Sequence, residues 1–87
     1  MNRDAFENAL TAEGFTEFVL VTREAGELEE HTHPFEAKAL ILAGEITIRV
    51  GNDERIFQPG DIFHLGANAP HAERYGPQGV QYLVGRR

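Results

Sequence analysis

The residues best suited to chemistry lie in one stretch, Gly26-Glu-Leu-Glu-Glu-His31-Thr-His33-Pro34-Phe35-Glu36. Two histidines stand two apart. A strand turns residues i and i+2 to the same face, whereas a helix splays them about 200° apart. Pro34 lacks a backbone N–H and biases His33 towards extended geometry, so the pair belongs on a strand end or sheet edge. There both rings can converge on one point. Two imidazoles held this way form half of a metal site, because neutral imidazole suits Zn, Fe, Ni or Cu.

A chain of 87 residues is one domain with a limited core, to which a bound metal or a second copy would add stability. A homodimer is the expectation. The formal charge is −6, and Glu24, Glu27, Glu29, Glu30 and Glu36 crowd around the histidine pair. Such a surface repels phosphate backbones, so nucleic acid is not the expected partner. The absence of cysteine excludes disulfides, thiolate ligands and a cysteine nucleophile, and the absence of serine excludes a serine triad. No Gly-rich phosphate loop precedes a helix. With no charged-then-apolar leader and no membrane-length apolar run, a soluble cytoplasmic protein is expected.

The elements that must position these residues are legible in turn. Arg3 to Ala12 carries Phe6, Ala9 and Leu10 at helical spacing, with Gly14 just past the end, and predicts one short amphipathic helix. From Phe15 to Arg23 the chain is dense in β-branched and aromatic residues, and it stops at Ala25-Gly26, as a strand before a turn does. Leu28 to His33 continues extended. The apolar run Ala37 to Ala43 and the alternating Glu45 to Val50 read as two strands parted by a tight turn or bend at Gly44. Further short strands follow at Glu54 to Phe57, Ile62 to Leu65, His71 to Arg74 and Val80 to Val84. They are separated by Gln58-Pro59-Gly60-Asp61, Gly66 to Pro70 and Gly76-Pro77-Gln78-Gly79. Asn68 is the non-glycine type that best tolerates a left-handed backbone. Many short strands punctuated by Gly and Pro predict an all-β sandwich or barrel, with residues 1–14 forming the helix that packs on it and 15–87 the barrel.

Over residues 15 to 84 the order of these features resembles the two signature motifs of the cupin superfamily, small RmlC-like barrels of jelly-roll type. Gly26, His31, His33 and Gly44 match the first motif; Gly60, Asp61 and His71 match the second. The resemblance implies an all-β, single cupin-like jelly-roll barrel in which His31, His33 and His71 are metal ligands. The family's ligand glutamate falls at position 37, where this chain has Ala37, flanked by Glu36 and Lys38. A one-residue shift turns a strand side chain to the opposite face, so Glu36 becomes the fourth ligand only if a bulge or bend near Pro34 re-aims it. The family's final motif residues are also changed, to Gly66-Ala67-Asn68 and Tyr75.

Three imidazoles without cysteine suit a catalytic metal with open positions, since structural zinc sites are normally closed by four protein ligands. The resemblance implies a mononuclear divalent transition metal (Fe, Zn, Ni or Mn) that binds a small oxygen-rich ligand. Some cupin-like dioxygenases acting on thiols and β-diketones use three histidines alone, which makes dioxygen-dependent oxidation one expected activity. A ligand-sensing module without turnover and a metal-free barrel kept for assembly are the alternatives. Glu73, two after His71, shares its face in a strand and is placed either to orient an imidazole from behind or to stand as a surface charge. His64 reads as a surface or interface histidine, and Tyr75 and Tyr82 as packing residues or cavity proton donors.

Overall fold

A computed structural model describes residues 2–87. Asn2 caps the helix α1 (Arg3–Ala12), its side-chain oxygen accepting the Ala5 N–H at 2.8 Å. Six strands follow: β1 (Glu17–Arg23), β2 (Gly26–His31), β3 (Ala37–Val50), β4 (Asp53–Phe57), β5 (Ile62–Leu65) and β6 (His71–Arg86). The architecture is all-β with one short N-terminal helix, as the composition of the strands demanded.

Every pairing is antiparallel, and the two long strands carry the sheet. The first part of β3 (37–44) pairs with the last part of β6 (80–86), and the end of β3 (46–49) pairs with the start of β6 (72–75). Each junction marks the boundary of a half-sheet. One half is β1-β6-β3-β5 and the other is β2-β6-β3-β4, because β1 and β5 join the first region and β2 and β4 the second. The sheet thus doubles over into the two layers of a jelly roll. Here the structure departs from the sequence reading: Gly44 and Gly76–Gly79 do not separate strands but kink continuous ones. Both long strands bend at the same level, so hydrogen bonding resumes beyond the corner instead of ending there.

The corner requires glycine at two positions. Gly44 and Gly79 both have φ +72°, and a β-carbon on Gly44 would stand 2.1 Å from the Gly79 carbonyl oxygen. One on Gly79 would stand 2.2 Å from the Arg23 carbonyl oxygen, so three strands touch backbone to backbone. The same irregularities reset the side-chain alternation. Inward residues are Ala37, Ala39 and Ile41 before the corner of β3 but Ile46 and Ile48 after it, and a core of these with Phe63, Val80, Tyr82 and Val84 fills the barrel.

The opposite face of the first half-sheet is also buried. Phe6 and Leu10, one helical turn apart, pack with Phe15, Leu40 and Leu83 beneath α1. Two-sided burial explains why Ala37 to Ala43 is almost continuously apolar, while residues 45–50 alternate. Among the described residues no helix is long and apolar enough to cross a membrane.

Replacing Gly44 or Gly79 with alanine forces both a left-handed φ on a residue with a β-carbon and a backbone clash. Each is expected to cost about 3 kcal/mol or more. A drop in the urea unfolding midpoint with unchanged m-value checks this; a loss under about 1 kcal/mol would show that the corner relaxes freely.

Candidate metal centre

Three local devices aim the imidazoles. The first is a bulge in β2: the register slips by one residue between Leu28, paired with Glu73, and His31, paired with His71. That slip lets Leu28 and His31 both line the cavity inside the barrel although they are three apart. The second is the loop before β6. Asn68, at φ +62°, donates its backbone N–H to the His33 carbonyl at 2.7 Å, fixing the chain beside that histidine. The third is a matched pair of ring contacts. His31 Nδ1 donates to the Glu29 carbonyl at 2.7 Å and His71 Nδ1 to the Ala69 carbonyl at 2.9 Å, each reaching back two residues.

These carbonyls fix the tautomer, so the lone pair of each neutral ring sits on Nε2. The three rings stand together, with centroids 4.3 Å apart for His31 and His71, 4.8 Å for His31 and His33, and 5.3 Å for His33 and His71. Glu73 completes the group: one ligand atom from each of His31, His33, His71 and Glu73 can be chosen so that all lie within 4.8 Å of one another. Glu73 Oε2 is 3.2 Å from Nε2 of both His31 and His71. Its other oxygen, Oε1, accepts the Tyr75 hydroxyl at 3.1 Å.

The electrostatics of this arrangement call for a cation. His31 Nε2 and His71 Nε2 are buried with no hydrogen-bond partner among the described residues, and both face a carboxylate oxygen. Two lone pairs against an anionic oxygen repel, and an unmet buried acceptor costs roughly 1–3 kcal/mol. Protonating both rings would place two imidazolium ions on one carboxylate oxygen, with His71 only 2% exposed. A metal ion takes all three donors at once. Donor atoms about a four-coordinate ion of zinc's size stand roughly 3.3 Å from one another, close to the 3.2 Å from Glu73 Oε2 to each of the two Nε2 atoms, while the whole group of four donors lies within 4.8 Å. Burial, with the His31 and His71 rings beside it, holds the His33 imidazole below its usual 6.5, which favours the neutral, ligating form; Glu73 pulls weakly the other way. Burial first, and then the Glu73 charge, push the Tyr75 hydroxyl up to about 12 and raise Tyr82 further, so both remain proton donors.

Glu36, the carboxylate expected from the sequence as a possible fourth ligand, lies outside this group. Ala37 points into the core, so its neighbour points away, as the alternation of a strand requires. No bend re-aims it. Glu36 Oε1 accepts Arg87 Nε at 2.6 Å, Oε2 is 2.5 Å from His64 Nε2, and the backbones of Glu36 and Arg87 pair through two further hydrogen bonds. His64 is therefore half-exposed at the surface, and Lys38 pairs with Glu13 at 3.3 Å. Glu73 fills the inward carboxylate slot from β6 instead. Its shared face with His71 is visible in the sequence; its burial is not.

The fold and the histidine-lined interior define a small jelly-roll barrel with a His/Glu group able to hold a metal. Residues 18–76 match the model of the Cupin_2 family, described as the cupin domain. The chain belongs to the cupin family. A cupin-2 domain containing protein from Shewanella frigidimarina NCIMB 400 superposes with TM-score 0.68 at 17% identity, over 100% of this chain and 94% of that one. The Clostridium difficile EutQ protein superposes with TM-score 0.69 at 7% identity, over 79% and 53%. The DMSP lyase DddQ from Ruegeria pomeroyi DSS-3 has TM-score 0.67 and 31% identity, over 80% and 36%. The chain thus spans about half of EutQ and about a third of the lyase. No protein among the curated ones matches the chain.

The hydrogen bonds from Arg87, and then His64, hold the Glu36 carboxyl below its usual 4.5. A depressed carboxyl contributes stability that is complete above the unfolded value and lost as pH falls through the folded one. Melting temperatures of wild type and Glu36→Gln are accordingly expected to differ above pH 4.5 and to converge below it. A constant gap across that range would refute the pairing.

Proposed function

We propose that this cupin is a mononuclear metal protein whose ion is held by His31, His33, His71 and Glu73 and receives a small oxygen-bearing ligand inside the barrel. The observation that carries the reading is the pair of buried, unpartnered Nε2 atoms converging on Glu73 Oε2 at 3.2 Å. Fixed tautomers, a neutral His33 and a carboxylate steadied by Tyr75 all favour a divalent transition metal over a proton or a hydrogen-bonded water. When bound, such an ion supplies Lewis-acid polarisation of an oxygen ligand. The chain's own residues contribute the rest: Tyr75 and Tyr82 stay protonated beside the donors, and Val84, Phe63 and Leu65 give the cavity an apolar wall.

With four protein donors, one of them anionic, the centre is less electrophilic than three histidines alone would make it. Lewis-acid handling of a ligand already carrying oxygen is therefore favoured over dioxygen activation. The similarity to a lyase at 31% identity is compatible with this preference, although the chain spans only 36% of that protein.

Purified protein supplemented with Zn(II), Fe(II), Ni(II) or Mn(II) in turn is expected to retain one equivalent of at least one ion by elemental analysis. At a thousandfold excess of free ion over Kd, binding adds about 4 kcal/mol to stability, so chelation lowers the melting temperature. His71→Ala is expected to lose the ion, and Glu73→Gln to weaken its binding at least about tenfold. Glu36→Gln should load like wild type. A wild type that retains none of these ions sinks the proposal, and loss of loading in Glu36→Gln but not Glu73→Gln would reassign the carboxylate.

A further inference from the structure

Among the residues that line the cavity holding the histidines there is a third unmet polar atom, a donor where the two imidazole nitrogens are acceptors. Arg86 carries it: its Nε is buried with no hydrogen-bond partner among the described residues. The guanidinium is held in place: it lies over the Phe35 ring at 4.6 Å, and Phe35 in turn stacks on His33 with centroids 5.1 Å apart and planes 17° from parallel. Nη1 turns to Glu17 Oε1 at 3.4 Å. The edge carrying the orphaned Nε is the one left over, and in arginine that edge is a planar fork matched to the two oxygens of a carboxylate.

The charges of the lining point the same way. Arg23 and Arg86 are both among the lining residues, and Glu73 is the sole carboxylate there among the described residues. A divalent ion on the histidines would make this interior strongly positive inside a chain of net charge −6. A surplus of positive charge is stabilised by an anion, and apolar walls strengthen that attraction most at the partly buried Arg86, Arg23 being exposed. Val21, Val84 and Leu65 leave room beside it for a short apolar body, within a cavity of about 90 Å³.

We propose that the cavity is built for a short-chain carboxylate bearing a second oxygen, with the Arg86 fork anchoring the carboxylate while the second oxygen faces the histidine group. The assignment rests on the metal reading above for the second contact and on the arginine alone for the first. Arg86 is a specificity determinant here, since every small oxygen ligand can approach the ion but only an anion gains from the fork.

The test titrates Zn-loaded protein with malonate and with its neutral analogue malonamide by calorimetry, and measures metal content afterwards. Malonate is expected to bind and malonamide to bind at least about tenfold more weakly. Arg86→Met, which keeps the apolar stem over Phe35, is expected to retain the metal and lose at least about tenfold in malonate affinity. Arg86→Lys, with charge but no fork, should fall between them and stands in if the Met variant does not fold. No malonate binding to wild type, equal binding of malonamide, or malonate affinity unchanged in the variants overturns the proposal. If the wild type carries no metal, the metal reading fails by itself, and malonate binding to the metal-free protein that Arg86→Met abolishes still upholds the anchor.

Discussion

The contact between the backbones of Arg23, Gly79 and Gly44 governs this molecule. Two strands of 14 and 16 residues would by themselves form a flat ribbon with one dry face at most. Bent at one level, they double over so that their two halves face each other across a shared core. The bend is feasible because two glycines accept a left-handed backbone and leave no side chain between the strands. The inner and outer faces are reassigned at the same place. Ala37 and Ile46, Val80 and Tyr75 turn inward although their spacing along the chain is odd, and the histidine half inherits its facing from that shift.

Much of this is legible in the sequence because its causes are local. Helix α1 follows from the spacing of Phe6 and Leu10 and the stop at Gly14, and the histidine pair from Pro34 and the two-residue period of a strand. Asn68 advertises its left-handed turn through its residue type. What escapes is set by partners far along the chain. Gly44 and the 76–79 segment read as turns because glycine and proline usually end strands; only the coincidence of the two bends, 35 residues apart from Gly44 to Gly79, turns them into one corner. Glu73 escapes for a similar reason. A glutamate in a polar segment is ordinarily solvated, and its 9% side-chain exposure arises from rings that come from β2 and the loop after it. Glu36 shows the converse: nearness to the histidines in sequence brings it no nearer in space, because the alternation of the chain turns it outward.

The interior is unusual in keeping its polar atoms unmet on both sides of the charge ledger. Acceptors converge at Glu73 Oε2, and a donor waits at Arg86 Nε. Each is costly in a folded protein unless something outside the chain satisfies it. A cation would answer the first and an anion the second, and the residues carrying both line one cavity.

The helix lies over only one layer of the doubled sheet. Beneath it, β3 and β6 are dry on both faces, whereas β2 and β4, which flank the histidine layer, are exposed along most of their length. Resistance to local opening follows buried contact, so amide protons of residues 39–41 and 82–84 should exchange with solvent last and those of β2 among the first. The histidine His31 rides on that early-opening strand. The histidine-bearing layer is then the pliant side of the molecule and the helix-backed layer its anvil, and any ion that enters would tighten the side with the most to gain.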